Sequence, residues 1–279
     1  YFAVQETNGN LWFSSGWFEE ARHGVVRYDG KGFEAFLDGV KFPTNSVNTC
    51  AAIGEDGSPW FGFADGSLAR YAEGRFTFVT TRDGLPGSGV NGVTVVPGGD
   101  LWISTWTQGI TRYDGKSFHT LTTNDGLPMT QLWGIKAGKD GELWIGSSRS
   151  GLARYDGRQF HRYTVADGLA DDFVRCILAE DDGIVWVGGD NGLSRFDGRT
   201  FTIIKKNKER LANNSVLAIQ RDREGVLWVG GPSGVTRFDG NAWSTLTAAD
   251  GAGGSEAWLG LQDRDGSYWL GNAGGVTRY

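Results

Sequence analysis

Short apolar runs alternate along the whole chain with polar breaks rich in glycine and aspartate. The stretch 215–247 shows the unit most cleanly. Ser215–Gln220 is an apolar run, the turn Asp222-Arg223-Glu224-Gly225 breaks it, and Val226–Gly230 (Val-Leu-Trp-Val-Gly) is a second run. Pro232-Ser233-Gly234 leads into a third, Val235–Phe238, and Ala242–Leu246 is a fourth. Runs this short, bounded by turn residues, predict strands rather than helices. The Asp239-Gly240 pair between the third and fourth predicts a type I′ hairpin, because Asp-Gly tolerates paired positive φ.

This unit recurs from end to end. Its tryptophan falls at Trp12, Trp60, Trp102, Trp144, Trp186, Trp228 and Trp269, in steps of 48, 42, 42, 42, 42 and 41 residues. An Arg followed by Tyr or Phe closes each third strand, at Arg27, Arg70, Arg112, Arg154, Arg195, Arg237 and Arg278. A strand-rich period of about 40–45 residues marks a propeller or a solenoid. The expected fold is all-β: one seven-bladed β-propeller over 1–279, with four antiparallel strands per blade. The blades are placed near 1–37, 46–80, 90–122, 132–164, 174–204, 215–247 and 256–279. Blade 1 has an enlarged second turn, and blade 2 replaces the hairpin Asp-Gly by Glu73-Gly74. Blade 7 reaches Tyr279 before any fourth strand. Either that blade has three strands or a longer natural chain supplies the fourth, and the second reading is preferred because the sequence starts and stops within the pattern.

Composition changes this picture little. The 45 glycines, 6 prolines and 13% aromatic content suit an all-β chain with many tight turns. A net charge of −6 gives no footprint for nucleic acid, and the basic run Lys205–Lys208 reads as a solvated loop. No apolar run is long enough for a membrane span, and no signal sequence opens the chain. Cys50 and Cys176 share one repeat position, three blades apart on a seven-membered ring. They are expected to be free thiols packed as small hydrophobes.

The residues that break the repeat carry the functional signal. The seven register tryptophans are assigned to packing between blades, and the Arg before Tyr/Phe to packing or ion pairing. Trp243 takes the place of the fourth-strand Phe. Four others are out of register. Trp17 and Trp106 lie in second-to-third turns, and Trp133 and Trp258 lie at starts of first strands. In a four-stranded meander those two places share one end of the blade. The four indoles are therefore expected around the mouth of a central channel, as an interaction surface. Irregular polar residues join them: Glu19, Glu20, Arg22 and His23 of blade 1, then Gln108, Arg149, Arg175, Asp190 and Asn191. His119 and His161 fall on fourth strands, away from that end. No nucleophile elbow, zinc-ligand spacing or phosphate-binding glycine loop appears. The expectation is no catalytic residue, no metal and no cofactor. Glu19, Glu20 and His23 form the one cluster that could hold a divalent metal.

The Arg-Tyr/Phe-Asp-Gly closures at Asp29, Asp114, Asp156, Asp197 and Asp239 recur with Leu-Trp-Xaa-Gly strands. With linkers such as Asp83-Gly84-Leu85-Pro86 and Asp125-Gly126-Leu127-Pro128, they resemble the two-component-regulator propeller repeat family over essentially the whole chain. That resemblance implies a seven-bladed propeller of sensor type, extracytoplasmic (periplasmic or secreted), in a membrane-bound signalling protein. No kinase, response-regulator or transmembrane segment accompanies it in this chain. The expected function is recognition of a small molecule, glycan or protein at the channel mouth. The alternatives are a metal-dependent lyase or hydrolase of the streptogramin-lyase-like propeller type, and a rigid scaffold in a larger complex.

Overall fold

A computed structural model of the protein describes residues 3–14, 24–37, 47–206, 211–247, 257–272 and 275–278. Side chains of Leu37, 257–260, Asn272 and Gly275 lie outside that description, as does the second half of the basic run, 207–210. The chain divides into two compact units, 1–137 and 138–279.

Every sheet is an antiparallel meander in which consecutive strands pair. Blade 1 comprises Ala3–Gln5, Leu11–Ser14, Gly24–Tyr28 and Phe33–Leu37. Blade 2 comprises Asn48–Ile53, Pro59–Phe63, Leu68–Ala72 and Arg75–Val79. Blade 3 comprises Val90–Val95, Leu101–Thr105, Gly109–Tyr113 and Phe118–Leu121. The fourth sheet begins with Leu132–Ala137, at the end of the first unit, and continues through Leu143–Ser147, Leu152–Tyr155 and Phe160–Tyr163. Blade 5 comprises Cys176–Ala179, Val185–Gly188, Leu193–Phe196 and Phe201–Ile204. Blade 6 comprises Ala218–Arg221, Leu227–Gly231, Gly234–Phe238 and Trp243–Leu246. Blade 7 has three strands among the described residues: Ala257–Gln262, Tyr268–Asn272 and Gly275–Arg278. These are the seven blades of a β-propeller.

The recurring tryptophan forms the same motif in blade after blade. On the second strand it pairs across the sheet with the third-strand arginine, as in Trp12 opposite Arg27, Trp144 opposite Arg154 and Trp228 opposite Arg237. The guanidinium lies over the indole, 4.8 Å from its centroid at Arg237 and 5.8 Å at Arg154. The indole N–H donates to a carboxylate of the preceding turn: Trp186 to Glu180 at 3.0 Å, Trp228 to Asp222 and Trp269 to Asp263 at 2.7 Å. The large ring is thus buried with its polar edge paired. Several arginines complete the set through turn carboxylates, Arg70 with Asp56 and Arg112 with Asp100. The apolar faces of adjacent blades close around these rings, for example Trp144, Leu152, Val174, Val187 and Phe196 between blades 4 and 5.

Two local predictions need correction. At Asp29, Asp114, Asp156, Asp197 and Asp239 the connection is not a two-residue type I′ turn. It is a four-residue loop, with Tyr28 paired to Phe33 and Tyr113 to Phe118 across it. Only the glycine has positive φ, 89° at Gly30 and 87° at Gly115, and the aspartate carboxylate accepts the next two amides but one, from Lys116 and Ser117 in blade 3. Those amide donors hold the carboxylates below their usual range, Asp114 at about 2. Two successive positive φ values occur instead at Glu73 (53°) and Gly74 (77°), in the blade that lacks the Asp-Gly pair. The Asp-Gly-Leu linkers, in turn, end one-turn 3-10 helices. Asp83, Asp125 and Asp167 accept the amides of Thr80, Thr122 and Thr164, each at 2.8 Å, and Leu85, Leu127 and Leu169 are buried.

Both cysteines are free. Cys50 is packed beside Val90, and burial pushes its thiol up to about 11, as expected of an inert thiol.

Tyr268 departs from the repeat, which places Leu or Val immediately before most of the register tryptophans. Its ring stacks on Trp228 at 4.3 Å, but its hydroxyl is buried without a hydrogen-bond partner in a residue 3% exposed. Burial pushes the phenol's ionisation far up. Tyr268→Phe should keep the stack and remove the desolvation cost, raising stability by about 1 kcal/mol, seen as a higher urea midpoint. A lower midpoint would mean that the hydroxyl is paired in solution.

Candidate functional site

In blades 2, 3, 5 and 6 the backbone carries a β-bulge where the first strand begins. In blade 2, Asn48 faces Phe63 and Cys50 faces Gly62, which leaves Thr49 as the extra residue. In blade 3 the extra residue is Asn91, between Val90 opposite Thr105 and Gly92 opposite Ser104. In blade 5 the Arg175 amide donates to the Gly188 carbonyl while Cys176 already faces Gly188; in blade 6 Leu217 and Ala218 share Gly230 in the same way. Each extra residue lies eleven positions before its blade's tryptophan, as does Trp133 in blade 4. A bulge re-aims one side chain while the rest of the strand keeps its register. That backbone position therefore presents Thr49, Asn91, Arg175 and Leu217 from equivalent scaffolds, and Trp133 holds the same sequence position in blade 4. Trp258 occupies it in blade 7, where the irregularity is displaced to between Leu259 and Leu261.

In the first unit this geometry brings Trp133 against Trp106. Their ring centroids are 5.9 Å apart at 67°, an edge-to-face pair. Trp106 follows the second strand and is tied by its amide to the Gly89 carbonyl at 2.9 Å. Trp133 is 38% exposed, the only tryptophan among the exposed large apolar residues described. Beneath it the backbone is fixed, because Asn91 Nδ2 donates to the Leu132 carbonyl at 2.8 Å. Gln131, two residues before Trp133, holds a φ of 56°, uncommon for a residue with a side chain. Gln108 is exposed on the Trp106 turn, whose amide at Gln108 is capped by Thr105 Oγ1.

In the second unit the same pairing of first-strand start and second-to-third turn joins Arg175 to Asp190. The contact is bidentate, Nε to Oδ1 at 2.7 Å and Nη2 to Oδ2 at 3.1 Å. Ser215 donates to Asp190 Oδ1 at 2.9 Å, and the guanidinium lies over the Phe173 ring at 4.4 Å. The Arg175 hydrogen bonds hold the Asp190 carboxyl below the usual range. Arg149 is exposed on the turn after Ser147, and Asn191 is exposed beside Asp190.

Trp17, Glu19, Glu20, Arg22 and His23 lie outside the described residues, as does the Trp258 side chain. The structure brings together two pairs from the expected set, Trp106 with Trp133 and Arg175 with Asp190. It adds Phe173, Ser215 and Asn91, which the sequence reading passed over. The missed signal was a column: positions eleven before each tryptophan read Tyr, Thr, Asn, Trp, Arg, Leu and Trp, too varied for a packing role. Among the described residues no group of three or more His, Cys, Asp or Glu could hold a metal ion, and no helix is long and apolar enough to cross a membrane.

The model of the two component regulator propeller family matches residues 168–191 and 210–233. No curated protein sequence matches the chain. Among solved structures, the fold is similar to the extracellular domain of BT3049 from B. thetaiotaomicron, assigned to a hybrid two component system, with TM-score 0.81 and 20% identity over 99% of this chain and 39% of that one. The BT4673 extracellular domain from the same organism is similar at TM-score 0.78 and 21% identity, over 99% of this chain and 37% of that one. Streptogramin B lyase is similar at TM-score 0.78 and 18% identity, over 100% of this chain and 93% of the lyase. The chain spans about two fifths of the length of the two extracellular domains. At these identities the likeness is one of fold. The chain is a β-propeller whose segments 168–191 and 210–233 match the two component regulator propeller repeat.

Proposed function

We propose that the chain is a non-catalytic recognition module of an extracytoplasmic sensor, binding its ligand where the first-strand bulges and second-to-third turns meet. The observation that carries this reading is the Trp106–Trp133 pair. A part-exposed indole, braced by a second indole and a fixed backbone at a position whose residue type changes from blade to blade, is a preorganised apolar contact. The family of the matched repeats supports a regulatory setting. The extracellular domains of similar fold support an extracytoplasmic one. The ligand-binding set is Trp17, Glu19, Glu20, Arg22, His23, Trp106, Gln108, Trp133, Arg149, Arg175, Asp190 and Trp258, from whichever blades the ligand reaches.

A thermal-shift screen of small molecules, glycans and peptides tests the reading. A hit should raise the Tm of the parent, and the Trp106→Ala/Trp133→Ala protein should lose that shift while staying folded. Binding unchanged in the double variant would overturn the assignment. The second reading is a lyase, favoured by the fold shared with streptogramin B lyase over the whole chain. Under it, turnover would depend on divalent metal and disappear in His23→Ala.

A further inference from the structure

The Arg175 cluster has a chemistry that the aromatic pair lacks. A guanidinium carries five N–H donors in a planar fork. Asp190 engages the Nε–Nη2 side of that fork, one oxygen on each nitrogen. The remaining donors, both hydrogens of Nη1 and the second of Nη2, form the other edge of the same plane. No hydrogen bond from a described residue uses that edge. The plane itself is immobilised three ways: it lies on the Phe173 ring, Ser215 holds Asp190, and Asp171 accepts the amides of both Phe173 and Asp190. An arginine needed only to tie Ser215 and Asp190 together would not require its face stacked and its carboxylate partner doubly anchored. The bulge at the start of blade 5 is what aims it.

The geometry points to a carboxylate-binding subsite on the free Nη1–Nη2 edge of Arg175, so that the ligand of this end of the propeller carries a carboxylate group. Two parallel N–H donors match the two oxygens of a carboxylate, and their rigidity lowers the entropy lost on binding. The neighbouring charges select further. Asp190 is already paired, but Asp171 and Asp172 sit on the loop that carries Phe173, their carboxylates accepting the amides of Phe173, Asp190 and Val165. That surplus of negative charge penalises a dianion such as phosphate more than a singly charged carboxylate. This subsite deepens the recognition reading and rests on it.

The test follows the backbone amide resonances of Phe173, Arg175 and Asp190 during titration with acetate and with benzoate. Inorganic phosphate and chloride serve as comparison arms at constant ionic strength. Acetate and benzoate should shift these amides saturably in the millimolar range, and phosphate should bind more weakly. Arg175→Lys keeps the charge and loses the fork, and should weaken the carboxylate by about tenfold or more with little change in Tm. The Trp106→Ala/Trp133→Ala protein should bind acetate like the parent, so failure of the aromatic reading and failure of this subsite are separable. Equal carboxylate binding by Arg175→Lys, or a chloride titration giving the same shifts, overturns the proposal.

Discussion

Trp144→Ala is expected to lower stability by about 3–5 kcal/mol, measured as the fall in the free energy of urea unfolding. The residue is 2% exposed and packs among Leu152, Val174, Val187 and Phe196. Tyr163 lies 6.1 Å from its ring and Phe196 5.6 Å, so truncation opens a cavity between two blades rather than at one surface. A second cost adds to the first. Arg154 lies over the indole at 5.8 Å, and its Nε is buried with no hydrogen-bond partner. The π face of Trp144 is what covers that buried Nε, and alanine would leave the nitrogen with neither ring nor acceptor. Trp144→Phe retains a ring beneath Arg154 and loses mainly the bond to Glu142, 3.4 Å long, so it should cost well under half as much. Trp133→Ala in the other unit should cost no more than about 1 kcal/mol, because that ring is already 38% exposed. Equal losses at Trp144 and Trp133 would refute the division between packing and recognition tryptophans.

The proposed division starts from the sequence, because blade packing imposes a period, and the period makes the tryptophans at 17, 106, 133 and 258 visible as exceptions. The blade count and the meander order follow from the same repetition, since each third strand ends in the same Arg-Tyr/Phe step. Turn chemistry was less legible. Asp-Gly is compatible with two loop lengths, and only the register Tyr28 to Phe33 shows which one is used. The Asp side chain decides it, by accepting the amides of Lys31 and Gly32. Reading Asp83-Gly84-Leu85 as a bare linker likewise overlooked Thr80, three residues upstream, whose amide the aspartate accepts. The site was legible only in parts. Trp133 and Arg175 stood out as single odd residues at one shared sequence position, yet the bulge that re-aims Arg175 is a property of pairing between strands. Nothing along one strand announces it. Phe173 and Ser215 were invisible for the same reason: their role exists only once Arg175 is re-aimed toward Asp190.

Gly109→Ala and Gly134→Ala, the same chemical change at two strand positions of the first unit, are expected to act in opposite directions. Gly109 has a φ of +96°, and a Cβ there would stand 2.2 Å from the Leu121 carbonyl oxygen. The close approach belongs to the third-to-fourth strand pair, whose register holds Ile110 opposite Leu121. Left-handed strain and a clash with backbone, which cannot rotate aside, should together cost roughly 3 kcal/mol or more. Gly134 has neither constraint: its φ is not positive, and a Cβ would meet no atom within 4 Å. Alanine there should stabilise by about 0.4–1 kcal/mol through the unfolded chain alone. The neighbouring blade shows that this openness is not imposed by the repeat, since a Cβ at the equivalent Gly92 would meet the Ile135 amide and Ser104 Oγ at 2.7 Å. Gly134 directly follows Trp133 in the chain, and the space its missing side chain leaves is open. If ligand occupies that space, Gly134→Ala will raise the urea midpoint and weaken binding in the same protein. A gain in stability with binding unchanged would instead place the ligand on the Trp106 side of the pair.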